Sequence, residues 1–411
     1  MSAELIEGAR VILDDRVAVA SVRIEAGRIT GIDVARDGAT VVPASGRILA
    51  PAFVDVHGDA FERQIMPRPG VVVPVEAAML ETDRQLAANG IATAYHALTL
   101  SWEPGLRSVA TGWQVVRALD SLRSRLTSDN RIQLRWETFC HEAEPLIAHV
   151  LAGADRPALA FNDHTTSMLL HPDVPVQDRP FDQITDYPVT PFDAPRFVKK
   201  MQDQARRAHL SPQEYVTLLT GVWGRRKDVP AHIARMAALA RSRSVPMLSH
   251  DDSQIETRAY YRALGATVAE FPMHERVFLA AREAGDHIIL GAPNAMRGGS
   301  HLGSPGAADM IVRGLCDILA SDYFYPAMLG AMVRLHSDRV APLAELWKLV
   351  SLNPAKAMGL TDRGRIAPGL RADLVLLDWP EGHTPAPLRT WVASRGGYSA
   401  LAVPRLSEPA V

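Results

Sequence analysis

Histidines and carboxylates recur in this chain just after short apolar runs, where a strand ends and its last side chains can reach into a shared cleft. His57 and Asp59 follow one such run, Glu137 closes another, and His164, His250 and Asp322 follow three more. Imidazole and carboxylate together suit one or two divalent transition ions, zinc first and manganese or iron next, with no thiolate in the set. Such an ion lowers the pKa of a bound water toward about 7 and polarises the bond to be cleaved. Asp322 is then the natural proton acceptor. Its bland alternative is the cap of a following helix. Each signal alone is weak, because His-x-Asp also occurs at His171 and at His336. The weight comes from their recurrence at five strand ends in one order.

Something must carry these ends to one place. Short apolar runs cover residues 53–57, 91–98, 132–138, 158–163, 245–250, 267–271, 287–291 and 316–321, and helix-patterned stretches such as 77–89 and 233–243 lie between them. Alternation of this kind predicts parallel β/α units, and eight runs predict an α/β fold, a (β/α)₈ barrel whose chemistry sits at the C-terminal strand ends. The chain ends read differently. Residues 17–32 alternate around a turn at Gly27, and Gly364-Arg365-Ile366-Ala367-Pro368-Gly369 leads into another strand at 372–378. Residues 1–50 and 359–411 are therefore expected to build a small β-sandwich from both termini, with the barrel spanning 51–358. The long, proline-containing gap at 165–244 is expected as an insertion over the barrel mouth, a place where long segments usually have a function.

Composition narrows the partners. The 411 residues carry a formal net charge of -2, with 47% hydrophobic and 22% charged residues, so no global positive field exists to hold nucleic acid. An anionic substrate would need a local cluster of Arg, His and metal. The two cysteines, Cys140 and Cys316, border apolar runs and are expected as buried thiols. No apolar stretch approaches the ~20 residues of a membrane span, and the first ten residues lack a leader pattern. The expectation is a cytoplasmic protein acting on a small molecule, away from membranes, with a homodimer as the default assembly.

Longer blocks are more particular. They include Val54-Asp55-Val56-His57-Gly58-Asp59, Pro67-Arg68-Pro69-Gly70, Asp163-His164-Thr165, Ser249-His250-Asp251-Asp252 and Ala269-Glu270-Phe271-Pro272. Two more are Gly291-Ala292-Pro293-Asn294, continuing to Arg297-Gly298-Gly299-Ser300-His301, and Asp317-Ile318-Leu319 with Ser321-Asp322-Tyr323. Over about residues 45–380 the chain resembles the amidohydrolase superfamily and, within it, the PhnM-like family of phosphonate metabolism. The resemblance implies that His57 and Asp59 contact metal and that His164, His250 and Asp322 complete the set. Many relatives bridge the metals with a carbamylated lysine. None of the five lysines here closes an early strand, and Glu137 is the better candidate for that position.

The implied reaction is hydrolysis of a ribose 1-alkylphosphonate 5-triphosphate with release of diphosphate. Arg297, Gly298 and Gly299 are the implied phosphate contacts, followed by Ser300, His301 and Arg68. Two stretches depart from the family. After Thr165 the family's Pro-Gly-Gln-Arg-Gln is replaced by Thr166-Ser167-Met168-Leu169-Leu170, and Ser-Gly-Asn after His301 becomes Leu302-Gly303-Ser304. Those departures favour a second reading, in which the same metal chemistry cleaves an amide, cyclic amide or N-acyl bond. A third, a non-catalytic scaffold, predicts decay of the ligand set, and the set is complete.

Overall fold

The computed structural model describes residues 3–300, 303–393 and 397–400. Five strands open the chain: β1 (Glu4–Ile12), β2 (Val17–Glu25), β3 (Arg28–Ile32), β4 (Thr40–Pro43) and β5 (Ile48–Pro51). Eight more follow: β6 (Phe53–Gly58), β7 (Ile91–Leu100), β8 (Asp129–Glu137), β9 (Ala158–Asn162), β10 (Met247–His250), β11 (Val268–Glu270), β12 (His287–Gly291) and β13 (Ile318–Ala320). The last three are β14 (Leu374–Asp378), β15 (Ala386–Trp391) and β16 (Gly397–Ser399).

Strands β6 to β13 pair in chain order and all in parallel. The ring closes where β13 returns to β6. Asp322 donates its N–H to the His57 carbonyl and Asp59 donates to the Asp322 carbonyl, both at 2.9 Å. Below that rim, buried Asp55 accepts the Ser321 N–H at 2.9 Å and its hydroxyl at 2.5 Å, which ties the first strand to the last. All eight expected runs became barrel strands.

Period-two alternation sorts the side chains. Leu134, Trp136, Leu159 and Phe161 turn outward under the helices. Val56, Ala160, Leu248, Val268, Ile289 and Ile318 fill the interior, with Met358 and Leu360 packed among them. Helices including Val75–Ala88, Val109–Leu122, Val229–Ser242 and Ala327–Ser337 wrap the outside.

The terminal strands form one mostly antiparallel sheet in the order β16-β15-β14-β5-β1-β2-β3, with β4 on β1. Its inner residues, among them Ile6, Val22, Leu49, Leu376 and Trp391, cluster with little besides one another and Ile366, so the sheet covers its own apolar face. The opposite face sends Ile12, Ile48, Val375 and Leu377 against the barrel's Leu346 and Trp347.

Between β9 and the helix Val229–Ser242 lies a mainly helical segment with its own core, including Phe197, Met201, Tyr215 and Leu219. Its main helix, Pro212–Trp223, starts on a capping box in which Ser211 and Glu214 satisfy each other's backbone N–H. Among the described residues, no helix is long and apolar enough to cross a membrane. Both cysteines are buried and unpaired.

Candidate metal centre and active-site cleft

Strand ends bring the acids and imidazoles together as the barrel closes. His57 leaves β6 fully buried, with Nδ1 2.9 Å from Glu270 Oε1 at the end of β11. Gln133, inward on β8, donates to that same oxygen at 2.6 Å and fixes the carboxylate from below. His250 ends β10, and Asp251 beside it places Oδ2 3.1 Å from His250 Nδ1 and 3.6 Å from His164 Nε2. Glu137 stands behind His164. Its Oε1 lies 2.5 Å from Nδ1, and its Oε2 accepts the His164 backbone N–H at 3.0 Å. One carboxylate thereby sets both the ring and the chain at that position.

Among the described residues, three groups of donor atoms each fall within 4.8 Å of one another: His57, Asp59 and Asp322; His57, His250 and Glu270; His164, His250 and Asp251. They share His57 and His250, so the donor set runs unbroken across the mouth. Buried His57 Nε2, both His250 ring nitrogens and Glu270 Oε2 have no hydrogen-bond partner among the described residues. His250 Nδ1 approaches Asp251 but at an angle that makes no hydrogen bond. An unpaired buried polar atom costs roughly 1–3 kcal/mol, and four in one place fit a bound cation. Thiolates are absent, so the donors are those of a zinc, manganese or iron site.

Left-handed turns follow three of these strand ends. Asp251, Phe271 and Asp322 have φ of 58°, 52° and 55°, a left-handed conformation costing side-chain-bearing residues about 1–3 kcal/mol each. Those turns carry the chain out of the strand and leave Asp251 and Asp322 over the mouth. Phe271 sits edge-on to His57 and His250, with ring centres 4.9 and 5.3 Å apart, and walls the imidazoles.

The electrostatics follow from these neighbours. Burial opposes the charge on Glu137, but His164 and its hydrogen bonds outweigh it and lower the carboxyl to about 2. His164 is the mirror case: burial is overcome by Glu137 and Asp251, and the imidazole rises to about 9. Burial pushes the Asp322 carboxyl up to about 6, with Asp59 adding to the rise against the pull of His57. Asp322 is thus poised to exchange a proton near neutrality. It caps no helix, since the next begins at Ala327 behind Pro326.

These residues open into a cleft of roughly 960 Å³ including its mouth. Its lining combines apolar Phe271, Pro272, Met273, Leu290 and Pro293 with Arg107, Arg135, His164 and Asp322. Arg135 reaches within 3.5 Å of Asp59, and Arg107 pairs with Glu62 at 2.8 Å.

The residues singled out for phosphate divide. Ser300 lines the cleft, whereas Arg68 and Arg297 are exposed and do not. Gly298, with φ of 84°, caps the helix Ala292–Arg297, and Gly298 and Gly299 both donate their N–H to the Asn294 carbonyl. Those two N–H groups are therefore already satisfied. His301 lies outside the described residues. His57, Asp59, His164, His250 and Asp322 come together, and Glu137 stands one layer behind them. Glu270, Asp251 and Arg135 were not anticipated in the site. The rule that found His57, an ionisable residue where an apolar run stops, also covers Glu270 and Asp251.

Comparison with known proteins agrees with this geometry. The amidohydrolase family matches residues 305–394. The alpha-D-ribose 1-methylphosphonate 5-triphosphate diphosphatase of Escherichia coli (strain K12) is 28% identical over 386 residues, covering 92% of this chain and 96% of that protein. An adenine deaminase of Methylobacterium sp. (strain 4-46) is 47% identical over 83 residues, 20% of this chain and 14% of its own. Among solved structures, molinate hydrolase superposes with a TM-score of 0.60 at 15% identity, covering 99% of this chain and 98% of its own. Phenylurea hydrolase B gives 0.60 at 16%, covering 97% of each. At such identities the structures speak for the fold alone. The chain is thus similar to amidohydrolases, whose family pattern covers residues 305–394, and over nearly its whole length to a hydrolytic enzyme.

Proposed function

We propose that this enzyme hydrolyses an anionic phosphorylated small molecule of the ribose 1-alkylphosphonate 5-triphosphate type and releases diphosphate. The observation that carries this reading is the near-full-length likeness to a diphosphatase acting on such a compound. The cleft supports it, because the guanidinium groups of Arg107 and Arg135 stand beside the donor cluster, where anionic oxygens would lie. His57, Asp59, His164, His250, Asp251, Glu270 and Asp322 would hold one or two divalent ions, zinc first by donor type, with manganese or iron as alternatives. When bound, such an ion supplies an activated water and a Lewis acid.

The chain's own part is one proton transfer and the positioning of the groups around it. Asp322 takes the proton from the attacking water, the new P–O bond forms at the phosphorus nearest the ribose, and the bond to the diphosphate leaving group breaks. Glu137 and Gln133 keep His164 and Glu270 in place throughout. Phe271 and Met273 give the cleft an apolar surface beside the reacting atoms.

One observation favours a second reading, cleavage of a C–N bond. Both cleft arginines already face carboxylates, and Arg68 and Arg297 point elsewhere, so fewer cations await a triphosphate than its charge demands. Purified enzyme loaded with zinc or manganese would be offered nucleoside and sugar triphosphates alongside cyclic amides, N-acyl amino acids and aminopurines. Diphosphate release is the expected outcome. Amine or ring-opened product without diphosphate would overturn the leading reading and establish the second.

A further inference from the structure

At three junctions of the rim, backbone hydrogen bonds continue to residues that bear or adjoin the cluster. Thr138 donates to the Asn162 carbonyl between β8 and β9, Asp251 to Glu270 between β10 and β11, and Asp322 to His57 between β13 and β6, at 2.9, 3.0 and 2.9 Å. The junction of β9 with β10 is different. Its last paired residues are Phe161 and Ser249. Just past the ends of these strands lie Asp163 and Asp251, and their carbonyls are bridged by a side chain.

That side chain is Arg179, which comes from the segment after β9. Its Nη1 donates to the Asp163 carbonyl at 3.2 Å and its Nη2 to the Asp251 carbonyl at 3.1 Å, while Ser167 Oγ contacts the same group. Arg179 is 3% exposed, and its Nε lies 3.3 Å from Asp182 Oδ1. The planar fork thus stands in for the missing ladder bonds, which a point-like ammonium cannot do. The two strand ends it joins carry His164 on one side and His250 with Asp251 on the other. Asp163 also caps the helix His164–Leu169 by accepting the Thr166 N–H at 2.9 Å. Arg179 itself is anchored through its carbonyl, which accepts from Ser253 at 2.6 Å and Gln254 at 2.9 Å. Arg276 adds bonds to the Ser253 and Gln177 carbonyls and to Asp178.

We infer that Arg179 is a positioning residue for the metal centre: its fork sets the spacing of His164 against His250 and Asp251, so the segment over the barrel mouth controls how tightly a divalent ion is held. The inference rests on the reading of the cluster as a metal centre. Groups that orient ligands from behind typically change metal affinity about 10–100-fold when removed. The role differs from ordinary packing, because it acts on two strand ends that have no backbone bond of their own at that height.

The test uses the full chain and cobalt(II) as a probe. Affinity is read by chelator competition, ligand geometry by the visible d–d bands, and folding by near-ultraviolet circular dichroism of the metal-free protein. Arg179→Lys keeps the charge and removes the fork. It is expected to weaken cobalt binding about tenfold or more and to change the d–d bands, with the dichroism retained. Affinity within twofold of the wild type with unchanged bands would overturn the role of Arg179. Should Arg179→Lys fail to fold, Gln254→Ala combined with Arg276→Ala loosens the anchor without stranding a buried charge. A loss of about threefold or more is then expected, and unchanged affinity overturns the inference. A folded wild type that binds no cobalt would end the metal-centre reading itself.

Discussion

One carboxylate, Glu137, holds both the Nδ1 side of the His164 ring and the His164 backbone N–H. Glu137→Gln keeps the shape but removes the charge and one acceptor. It is expected to weaken zinc binding about 10–100-fold while the barrel stays folded, as read by chelator competition against thermal unfolding of the metal-free protein. An unchanged zinc affinity would mean His164 needs no such support. The residues that form this site were partly legible in the sequence. His57, His164, His250 and Asp322 stand where apolar runs stop, and that local signal sufficed to single them out. Whether Asp251 or Asp252 turns inward was not legible, because adjacent acids differ only in where the left-handed turn sends them. Here Asp252 is spent on Ser249 and buried Arg258, leaving Asp251 for the mouth. Gln133 and Arg135 also escape a reading of strand ends, since they matter only through what the closed barrel sets opposite them.

At the scale of elements, the join between β6 and β13 is the part that must be built tightly. Gly58 lies on it, and a Cβ there would meet Asp55 Oδ2 at 2.8 Å and Ser321 Oγ at 3.0 Å, both members of the closing hydrogen bonds. Gly58→Ala is expected to lower stability by about 1–3 kcal/mol, measured by denaturant unfolding. A neutral result would mean the seam can relax. The strands themselves were legible because each is a short apolar run between helix-patterned stretches, and parallel barrel strands are buried on both faces. The segment after β9 was less so. Its polar, proline-containing stretch gives no period, and only the folded chain reveals that Arg179 leaves it for the strand ends.

At the scale of the molecule, the barrel and the C-terminal strands are joined by more than apolar contact. Arg363, buried just before β14, donates to Asp129 at 2.7 Å and to Thr93 at 2.8 Å, at the foot of β8 and β7. Burial works against the Asp129 charge, but Arg131 and Arg363 outweigh it and hold the carboxyl below its ordinary 3.8. A depressed folded pKa contributes stability that is complete above the unfolded value and lost as pH falls through the folded one. Asp129→Asn is therefore expected to cost about 3 kcal/mol at neutral pH, with the difference from wild type shrinking once the pH drops below about 4. Acid unfolding curves of the two proteins would show it, and a gap that stays constant into strong acid would contradict it.

The central claim is that closure of this barrel assembles a divalent-cation centre that drives hydrolysis. Elemental analysis of the purified enzyme after reloading, beside His57→Ala and Asp322→Ala, tests it most directly. The account predicts about one or two transition-metal equivalents in the wild type, and a clear loss of metal and of turnover together in the variants. A folded wild type that retains no metal, or that turns over substrate equally well without it, would contradict the account.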